Sequence, residues 1–322
     1  MKRRDFLKAA AISTAALAAD TAVSTGKAQE LSDSNAAQLP RRPYGDTGIE
    51  LSIISFGGIV VMNADAEHAS QVVGEAVERG VNYFDVAPSY GNAEEKLGPA
   101  LEPYRKDVFL ACKTGQRTAE GAQTEFDRSL ELLRTDHFDL YQLHGITSVE
   151  DDVDVAFADG GAMEVLLRAK AAGQVRHLGF SAHSEDAAVA AMERYDFDSV
   201  LFPVNFATWN KGNFGPRIMA KAQEIGAARL ALKGLARQRW PENDPTREKF
   251  GKCWYQPLTD PRESDLGLRW TLSQPITAAV TPGEESLFRL AMDIAQRFTP
   301  VNESETTELI ALADTLEPIF EV

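Results

Sequence analysis

Residues 82–91 read Asn-Tyr-Phe-Asp-Val-Ala-Pro-Ser-Tyr-Gly, which is typical of an apolar strand that ends in an acid and continues into a polar loop. A similar succession recurs in residues 109–114, Phe-Leu-Ala-Cys-Lys-Thr, and in residues 140–144, Leu-Tyr-Gln-Leu-His. The spacing is about one strand-helix unit, roughly 30 residues. If the three strands are adjacent and parallel, four polar side chains converge at one edge of the sheet: Asp85, Tyr90, Lys113 and His144.

The rest of the chain continues this alternation of strands and helices. Apolar strands are predicted over residues 49–58 (a short pair), 81–85, 108–113, 138–144, 175–180, 199–205, 229–235 and 276–280. Amphipathic helices are predicted over residues 69–78, 93–101, 124–133, 163–172, 185–195, 216–225, 265–272, 287–297 and 303–316. Strands that are apolar throughout indicate a parallel sheet covered by helices.

Eight such units usually close into a barrel, so the predicted fold class is α/β, a (β/α)8 TIM barrel over residues 41–322. A doubly wound sheet is the structural alternative. It is disfavoured because no Gly-x-Gly-x-x-Gly follows the first strand and because the candidate residues end several different strands. The longest irregular stretch, residues 236–262, carries Trp240, Trp254 and Tyr255 and is predicted to lie over the catalytic face as a substrate loop.

The composition limits the possible partners and ligands. The 322 residues are 44% hydrophobic, enough for a large core, and the net charge of -15 argues against nucleic acid or an anionic membrane as a partner. Cys112 and Cys253 are too few for a disulfide framework, a zinc site or an iron-sulfur cluster, so no metal site is expected. An oxidising compartment would permit a bridge between them, but two unpaired thiols are favoured because Cys112 lies inside an apolar strand.

The first thirty residues are predicted to be a Tat-type export signal. Residues 2–8 read Lys-Arg-Arg-Asp-Phe-Leu-Lys, a mildly apolar run follows over residues 9–19, and residues 16–18 are suitable for cleavage. The run is shorter than the roughly 20 residues that a membrane helix needs. Residues 31–40 are interpreted as a linker. We therefore expect an exported, periplasmic protein that uses the Tat machinery and has no stable membrane span; an amphipathic start to the fold is the alternative.

The four convergent residues carry a resemblance to a known family. Asp85 to Tyr90, the following residues 91–98, then Lys113 and His144 resemble the pattern of the aldo-keto reductases, and the likeness runs from about Arg41 to the C-terminus. The resemblance implies that Tyr90 protonates the substrate oxygen, assisted by Lys113, Asp85 and His144. An adjacent ammonium favours the phenolate and is expected to lower the pKa of the phenol. His177 and His183 fall outside the pattern and are interpreted as structural.

The resemblance also implies a bound NADP or NAD. Ser181 and Asn205 are expected to contact the nicotinamide amide. Four residues are expected near the adenosine phosphate: Gly283, Ser286, Arg289 and Asp293. Several positions differ from many relatives: Ala182 replaces Asn, Leu201 replaces Gln, Leu232 replaces a stacking Tyr, and Lys233 is unusual. Glu284 and Glu285 stand where relatives carry basic or small polar residues. Two carboxylates disfavour a neighbouring phosphate, so the choice between NADP and NAD stays open.

Two functions are compatible with this sequence. The favoured one is an NAD(P)H-dependent oxidoreductase that reduces an aldehyde or ketone to an alcohol, or runs in reverse on a small-molecule alcohol such as a sugar. The alternative is a catalytically quiet barrel that keeps the pocket and serves as a ligand-binding or accessory subunit. The altered amide and stacking positions and the acidic pair Glu284 and Glu285 favour the second, and the complete set of four convergent residues favours the first.

Overall fold

Eight parallel strands form a closed barrel in the computed structural model, which describes residues 38–322. The predicted signal (residues 1–30) and residues 31–37 of the predicted linker lie outside the described residues. The strands are β1 Ile54–Gly57, β2 Tyr83–Asp85, β3 Phe109–Thr114, β4 Phe138–Ile146, β5 Val175–Ala182, β6 Ser199–Pro203, β7 Ala228–Leu232 and β8 Ala278–Val280. Their spatial order follows the chain, and β8 pairs with β1. The predicted (β/α)8 barrel is confirmed.

Helices separate consecutive strands and form the outer layer. They are α1 Ala66–Glu78, α2 Ala93–Leu101, α3 Ala119–Leu132, α4 Ala162–Ala171, α5 Glu185–Arg194, α6 Pro216–Glu224, α7 Pro261–Ser273, α8 Glu285–Gln296 and α9 Glu303–Asp314. Shorter helical segments are Gly58–Val61, Glu102–Tyr104, Val149–Asp154, Val155–Phe157, Phe206–Asn210 and Arg247–Phe250. Most of the long helices bury one apolar stripe, as the periodicity predicts, whereas α7 is buried at almost every position from Ser264 to Leu272 and α9 packs on other helices.

Two small antiparallel pairs lie outside the barrel. Arg41–Pro43 pairs with Glu50–Ser52 ahead of β1, and Ala236–Gln238 pairs with Gln256–Pro257 inside the long loop after β7. The segment predicted as one short strand pair therefore contains strands of two different sheets. The chain changes sheets where the Ser52 amide donates to the side chain of Asn82 at 2.7 Å, next to the start of β2.

Side-chain alternation along the strands separates an outer and an inner core. In β3, Leu110 and Cys112 pack outward under the helices, whereas Phe109 and Ala111 face the barrel axis. The interior is apolar toward the amino ends of the strands, where Tyr44 enters from the first hairpin and donates to Ser199 at 2.8 Å. Polar residues collect at the carboxyl ends, where TIM barrels place their functional residues.

Two smaller predictions can also be compared with the structure. Cys112 and Cys253 are both free and buried, so the favoured interpretation of two unpaired thiols is confirmed. Within residues 38–322 we find no helix that combines the length and the apolar character needed to cross a bilayer.

Candidate active site

An ion pair between Asp85 and Lys113 lies at the base of the site. Asp85 ends β2, Lys113 is the fifth residue of the adjacent β3, and both side chains are 1% exposed. The Lys113 ammonium bonds the carboxylate and also donates to the Val86 carbonyl at 3.3 Å, while the Tyr83 hydroxyl donates to the other carboxylate oxygen at 3.2 Å. Burial alone would lower the pKa of Lys113, but Asp85 and then Tyr90 outweigh it and raise the pKa, which keeps the amine charged.

Tyr90 lies beside this pair on the loop between β2 and α2. Its amide donates to the Ala87 carbonyl at 3.0 Å, which fixes a tight turn, and its ring centroid is 5.4 Å from the Lys113 ammonium. Burial raises the pKa of Tyr90, and the opposing effect of Lys113 is smaller. The expected lowering of the phenol's pKa is therefore not met in this structure, and Tyr90 is held in its protonated form. A protonated phenol is the form that can act as an acid.

His144 completes the group from β4 as a neutral imidazole. Burial, and after it the charge of Lys113, lowers the pKa of His144 to about 3. Its ring meets the Tyr90 ring edge-on, with centroids 5.6 Å apart, and its Nδ1 lies 3.3 Å from the Ser89 hydroxyl. The Arg117 side chain donates to the backbone carbonyl of His144 at 2.7 Å, which fixes this end of the strand. A neutral imidazole positioned in this way can hydrogen-bond a substrate oxygen without transferring a proton.

A small cavity lies beside these groups; Asp85 and Tyr90 line it, whereas Lys113 and His144 are not among its lining residues. It has a volume of about 100 Å³ and is bordered by Asp85 and Tyr90 together with Trp254 and Tyr255 of the long loop. A groove of about 740 Å³ lies elsewhere, next to Arg105, whose guanidinium is paired with Asp139 at 3.0 Å. Size alone therefore does not distinguish a site, and the convergence of titratable groups makes this region the candidate active site.

The residues predicted to contact the nicotinamide amide lie at the ends of β5 and β6. The Ser181 hydroxyl accepts from the Gly145 amide at 2.8 Å, and the Asn205 carbonyl oxygen accepts from the Thr208 amide at 2.9 Å. The Asn205 side-chain nitrogen is buried and makes no hydrogen bond with any described residue. Gln142, two residues before His144 on the same face of β4, is buried with both amide atoms unpaired among residues 38–322. Alternation along β4 could have identified Gln142 from the sequence.

Of the residues predicted to contact the adenosine phosphate, Gly283 borders the same cavity as Asp85 and Tyr90, and the other three do not. Gly283 borders the cavity and packs closely on Ile59, because a Cβ built on it would lie 2.2 Å from that side chain. Ser286 is exposed in the first turn of α8. Arg289 and Asp293 face α1 instead of the cavity: Arg289 contacts Glu75 at 2.8 Å, and Asp293 contacts Arg79 at 2.5 Å.

Sequence reasoning marked Lys233 as unusual but did not assign it to the site, although Lys233 borders the cavity. Lys233, just past β7, lies over the Trp254 ring at 5.2 Å. His183, interpreted as structural, stacks on Phe320 with centroids 5.0 Å apart, and its Nε2 is buried without a partner in the described chain. Burial, and then Lys233, lowers the pKa of His183 to about 3. His177 lies deeper, 3.4 Å from Asp198, which agrees with a structural role.

Comparison with known proteins identifies the family. The sequence model described as "Aldo/keto reductase family" matches residues 54–226, more than half of the chain. The chain belongs to the aldo/keto reductase family. A solved aldo-keto reductase from Bacillus halodurans, in its holo form, has the same fold with a TM-score of 0.68 and 22% identity, over 88% of this chain and 99% of that one.

Curated relatives of this aldo/keto reductase are distant but extend over most of its length. The uncharacterised oxidoreductase YqkF of Bacillus subtilis is 24% identical, over 80% of this chain and 90% of that protein. The L-galactose dehydrogenase of Arabidopsis thaliana is 25% identical, over 88% of this chain and 93% of that protein. The 6-dehydroglucose reductase of Novosphingobium aromaticivorans is 30% identical, over 62% of this chain and 73% of that protein.

Proposed function

We propose that this aldo/keto reductase uses NADPH or NADH to reduce an aldehyde or ketone to an alcohol, or catalyses the reverse oxidation. The observation that carries the proposal is the position of the protonated Tyr90, whose ring lies 5.4 Å from the ammonium of the buried Lys113–Asp85 pair and 5.6 Å from the ring of the neutral His144. Besides a hydride, carbonyl reduction requires a proton, which Tyr90 can donate, while Lys113 can stabilise the phenolate that remains and His144 can hydrogen-bond the carbonyl oxygen.

The described residues fit a nicotinamide nucleotide at the amide end. The buried, unpaired nitrogen of Asn205 would gain a partner in a carboxamide oxygen, with Ser181 on the neighbouring strand. When bound, the nicotinamide would supply the hydride. The amino end of α8 with Gly283 is suited to a phosphate because the first amides of a helix are free to donate.

The residues of the chain would then control the proton. Tyr90 donates its hydroxyl proton to the carbonyl oxygen as the carbon accepts a hydride, and His144 donates a hydrogen bond to that oxygen. The phenolate left on Tyr90 gains the attraction of the charged Lys113, which is stronger at this buried position than in water. Asp85 keeps Lys113 charged and oriented throughout. The phenolate regains a proton from solvent, so one alcohol forms for each hydride consumed.

A binding and turnover assay tests the proposal. The purified protein, shown to be folded and free of retained nucleotide, is titrated with NADPH and NADH while tryptophan fluorescence is recorded. It is then supplied with aldehydes, ketones and sugar lactones or aldoses, since two relatives are named for sugar substrates. Saturable binding with carbonyl-dependent oxidation of the nucleotide supports the oxidoreductase. Failure to bind either nucleotide would favour the accessory barrel.

The ion pairs of Arg289 lead to a prediction about cofactor choice. The Arg289 guanidinium is paired with Glu75 and Glu285, so it is not available to a 2'-phosphate of the nucleotide. Glu285 is itself fixed by a contact with His68 at 2.6 Å. Replacing both acids, Glu75→Gln with Glu285→Gln, should free the guanidinium. We expect NADPH affinity to rise about fivefold to tenfold relative to NADH, which is within the range of one charge-assisted hydrogen bond.

Titration of both nucleotides against the double variant measures this shift. The matched control is Glu78→Gln, which neutralises an exposed acid of the same helix. An equal change in affinity for NADPH and NADH would show that Arg289 does not lie near the 2'-phosphate.

We also propose that the protein is exported through the Tat pathway. Replacing both arginines, Arg3→Lys with Arg4→Lys, should retain the precursor in the cytoplasm of a bacterium with a Tat translocase. Cell fractionation followed by immunoblotting measures the distribution, and Lys2→Arg, which leaves the pair intact, is the control. An unchanged distribution of the double variant would count against Tat export.

A further inference from the structure

Lys233 is a partly buried cation without an acidic partner. It follows directly after β7 with a φ of 63°, in the left-handed region that residues with a Cβ rarely adopt. Within residues 38–322, no carboxylate lies within ion-pair distance of its ammonium and no hydrogen bond is made to it. A strained backbone and an unpaired charge are both costly, and such costs concentrate at functional sites.

Two aromatic rings lie next to the Lys233 ammonium. The ammonium lies 5.2 Å from the centroid of the Trp254 ring and 5.9 Å from that of Tyr255. Burial lowers the pKa of Lys233 to about 8, so most of the amine is still charged at neutral pH. The same charge helps to lower the pKa of His144 and of His183, so Lys233 acts on both imidazoles.

The other lysines near the cavity are already engaged. Lys113 is paired with Asp85, and Lys252, on the cavity wall, donates to the Val60 carbonyl at 2.9 Å. Lys233 therefore differs from both in having donors that no described residue uses.

We propose that Lys233 binds an anionic group, a carboxylate or a phosphate, carried by the carbonyl substrate. The inference rests on the proposed function and narrows its substrate to anionic aldehydes and ketones. Tyr90 and Lys233 border one cavity, so a small molecule can place its carbonyl at the first and its charge at the second. An anion there would give the ammonium the partner that the chain does not provide.

The position of Lys233 favours the substrate over the nucleotide as the source of the anion. Trp254, under the ammonium, packs edge-on against Phe320 at 5.9 Å, and Phe320 stacks on His183. These rings form a wall that continues from the long loop to the C-terminal segment. Gly283, which precedes the helix end suited to a phosphate of the nucleotide, borders the same cavity, so nucleotide binding has to be measured beside substrate preference.

Two aldehydes that differ only in charge test the inference. We would measure kcat/KM for 4-formylbenzoate and for 4-formylbenzamide with the wild type, Lys233→Met and Lys249→Met. Lys249 is exposed in the same loop, so it is a matched control for loss of one positive charge. We expect the wild type to prefer the carboxylate, Lys233→Met to lower that preference roughly 10- to 100-fold, and Lys249→Met to leave it unchanged. Equal use of both aldehydes by the wild type would overturn the inference while the proposed function stands.

Nucleotide titrations separate the two possible sources of the anion. If Lys233 binds the substrate, the Kd of Lys233→Met for NADPH and for NADH should be within about twofold of the wild-type value. This change is much smaller than the loss of affinity that removal of one charge-assisted hydrogen bond would cause. A loss of nucleotide affinity as large as the loss of aldehyde preference would assign Lys233 to the pyrophosphate and overturn the inference.

A binding measurement that needs no turnover keeps the anion site testable by itself. Benzoate and benzamide are titrated against tryptophan fluorescence in the wild type and in Lys233→Met. The inference is supported if the wild type binds benzoate at least tenfold more tightly than benzamide and Lys233→Met does not. Equal affinities of the wild type for benzoate and benzamide would overturn it. Lack of turnover with both aldehydes would count against the proposed function, and the benzoate result would still decide the role of Lys233.

Discussion

Replacing Tyr90 with phenylalanine is expected to lower kcat for carbonyl reduction by roughly 10²- to 10⁴-fold, the contribution of a positioned acid. The phenyl ring retains the edge-on contact with His144 and the position 5.4 Å from the Lys113 ammonium, so only the hydroxyl is lost. Nucleotide Kd should change by less than about twofold, because the residues expected to bind the cofactor are elsewhere. Steady-state rates and fluorescence titrations measure the two quantities separately.

Tyr104→Phe is the matched control for this experiment. It makes the same substitution in the short helix Glu102–Tyr104, outside the cavity, and should leave both kcat and Kd unchanged. Turnover of Tyr90→Phe equal to that of the wild type would show that another group supplies the proton. A loss of nucleotide binding together with the loss of kcat would show that the variant perturbs more than the acid.

Replacing Lys113 with methionine should reduce both activity and stability. Both members of the Lys113–Asp85 pair are 1% exposed, so the variant leaves a buried carboxylate whose remaining described partner is the Tyr83 hydroxyl. Removal of one partner of a buried pair typically costs about 3–5 kcal/mol of unfolding free energy. Activity should fall as well, because no cation would stabilise the phenolate formed at Tyr90. Urea unfolding and steady-state kinetics measure the two effects.

A double variant separates the stability effect from the catalytic one. Lys113→Met combined with Asp85→Asn removes the uncompensated charge and should recover most of the lost unfolding free energy. It should not recover turnover, because the ammonium is still absent. Recovery of turnover in the double variant would contradict the role assigned to Lys113, and wild-type stability of the single variant would contradict the tight coupling of the pair.

The barrel was predictable because its signals are local. Apolar strands and amphipathic helices alternate along the chain, and α2 begins and ends where its pattern predicts. The starts of α5, α6 and α9 were also predicted correctly, whereas those of α1, α3, α4, α7 and α8 were placed one to five residues too late, because the apolar stripe begins after the cap. α7 begins at Pro261, where the Asp260 side chain accepts from two amides at 2.9 Å, four residues before the predicted start. The Asp-Pro-x-Glu pattern at residues 260–263 is a capping signal that apolar periodicity does not register.

The site was predictable where its residues end strands and not where it depends on distant contacts. The four candidates converge because neighbouring parallel strands end at one edge, which the order of the chain determines. The pairing of Arg289 with Glu75 joins residues 214 positions apart, and nothing in the local sequence indicates it. The burial that raises the pKa of Tyr90 depends in the same way on elements that assemble only in the fold. The contact of Lys233 with Trp254 depends on the path of the long loop, and the loop's sequence has no regular spacing of apolar residues from which that path could be predicted.

The most direct test of the account follows the hydride itself. NADPH or NADH carrying deuterium on the transferred position of the nicotinamide C4 is incubated with the protein and an accepted aldehyde, and the alcohol is examined by mass spectrometry. The account predicts one deuterium on the carbinol carbon of each product molecule for each nucleotide oxidised, and almost no labelled product with Tyr90→Phe. Unlabelled alcohol, or no oxidation by folded protein that binds the nucleotide, would contradict direct hydride transfer at Tyr90.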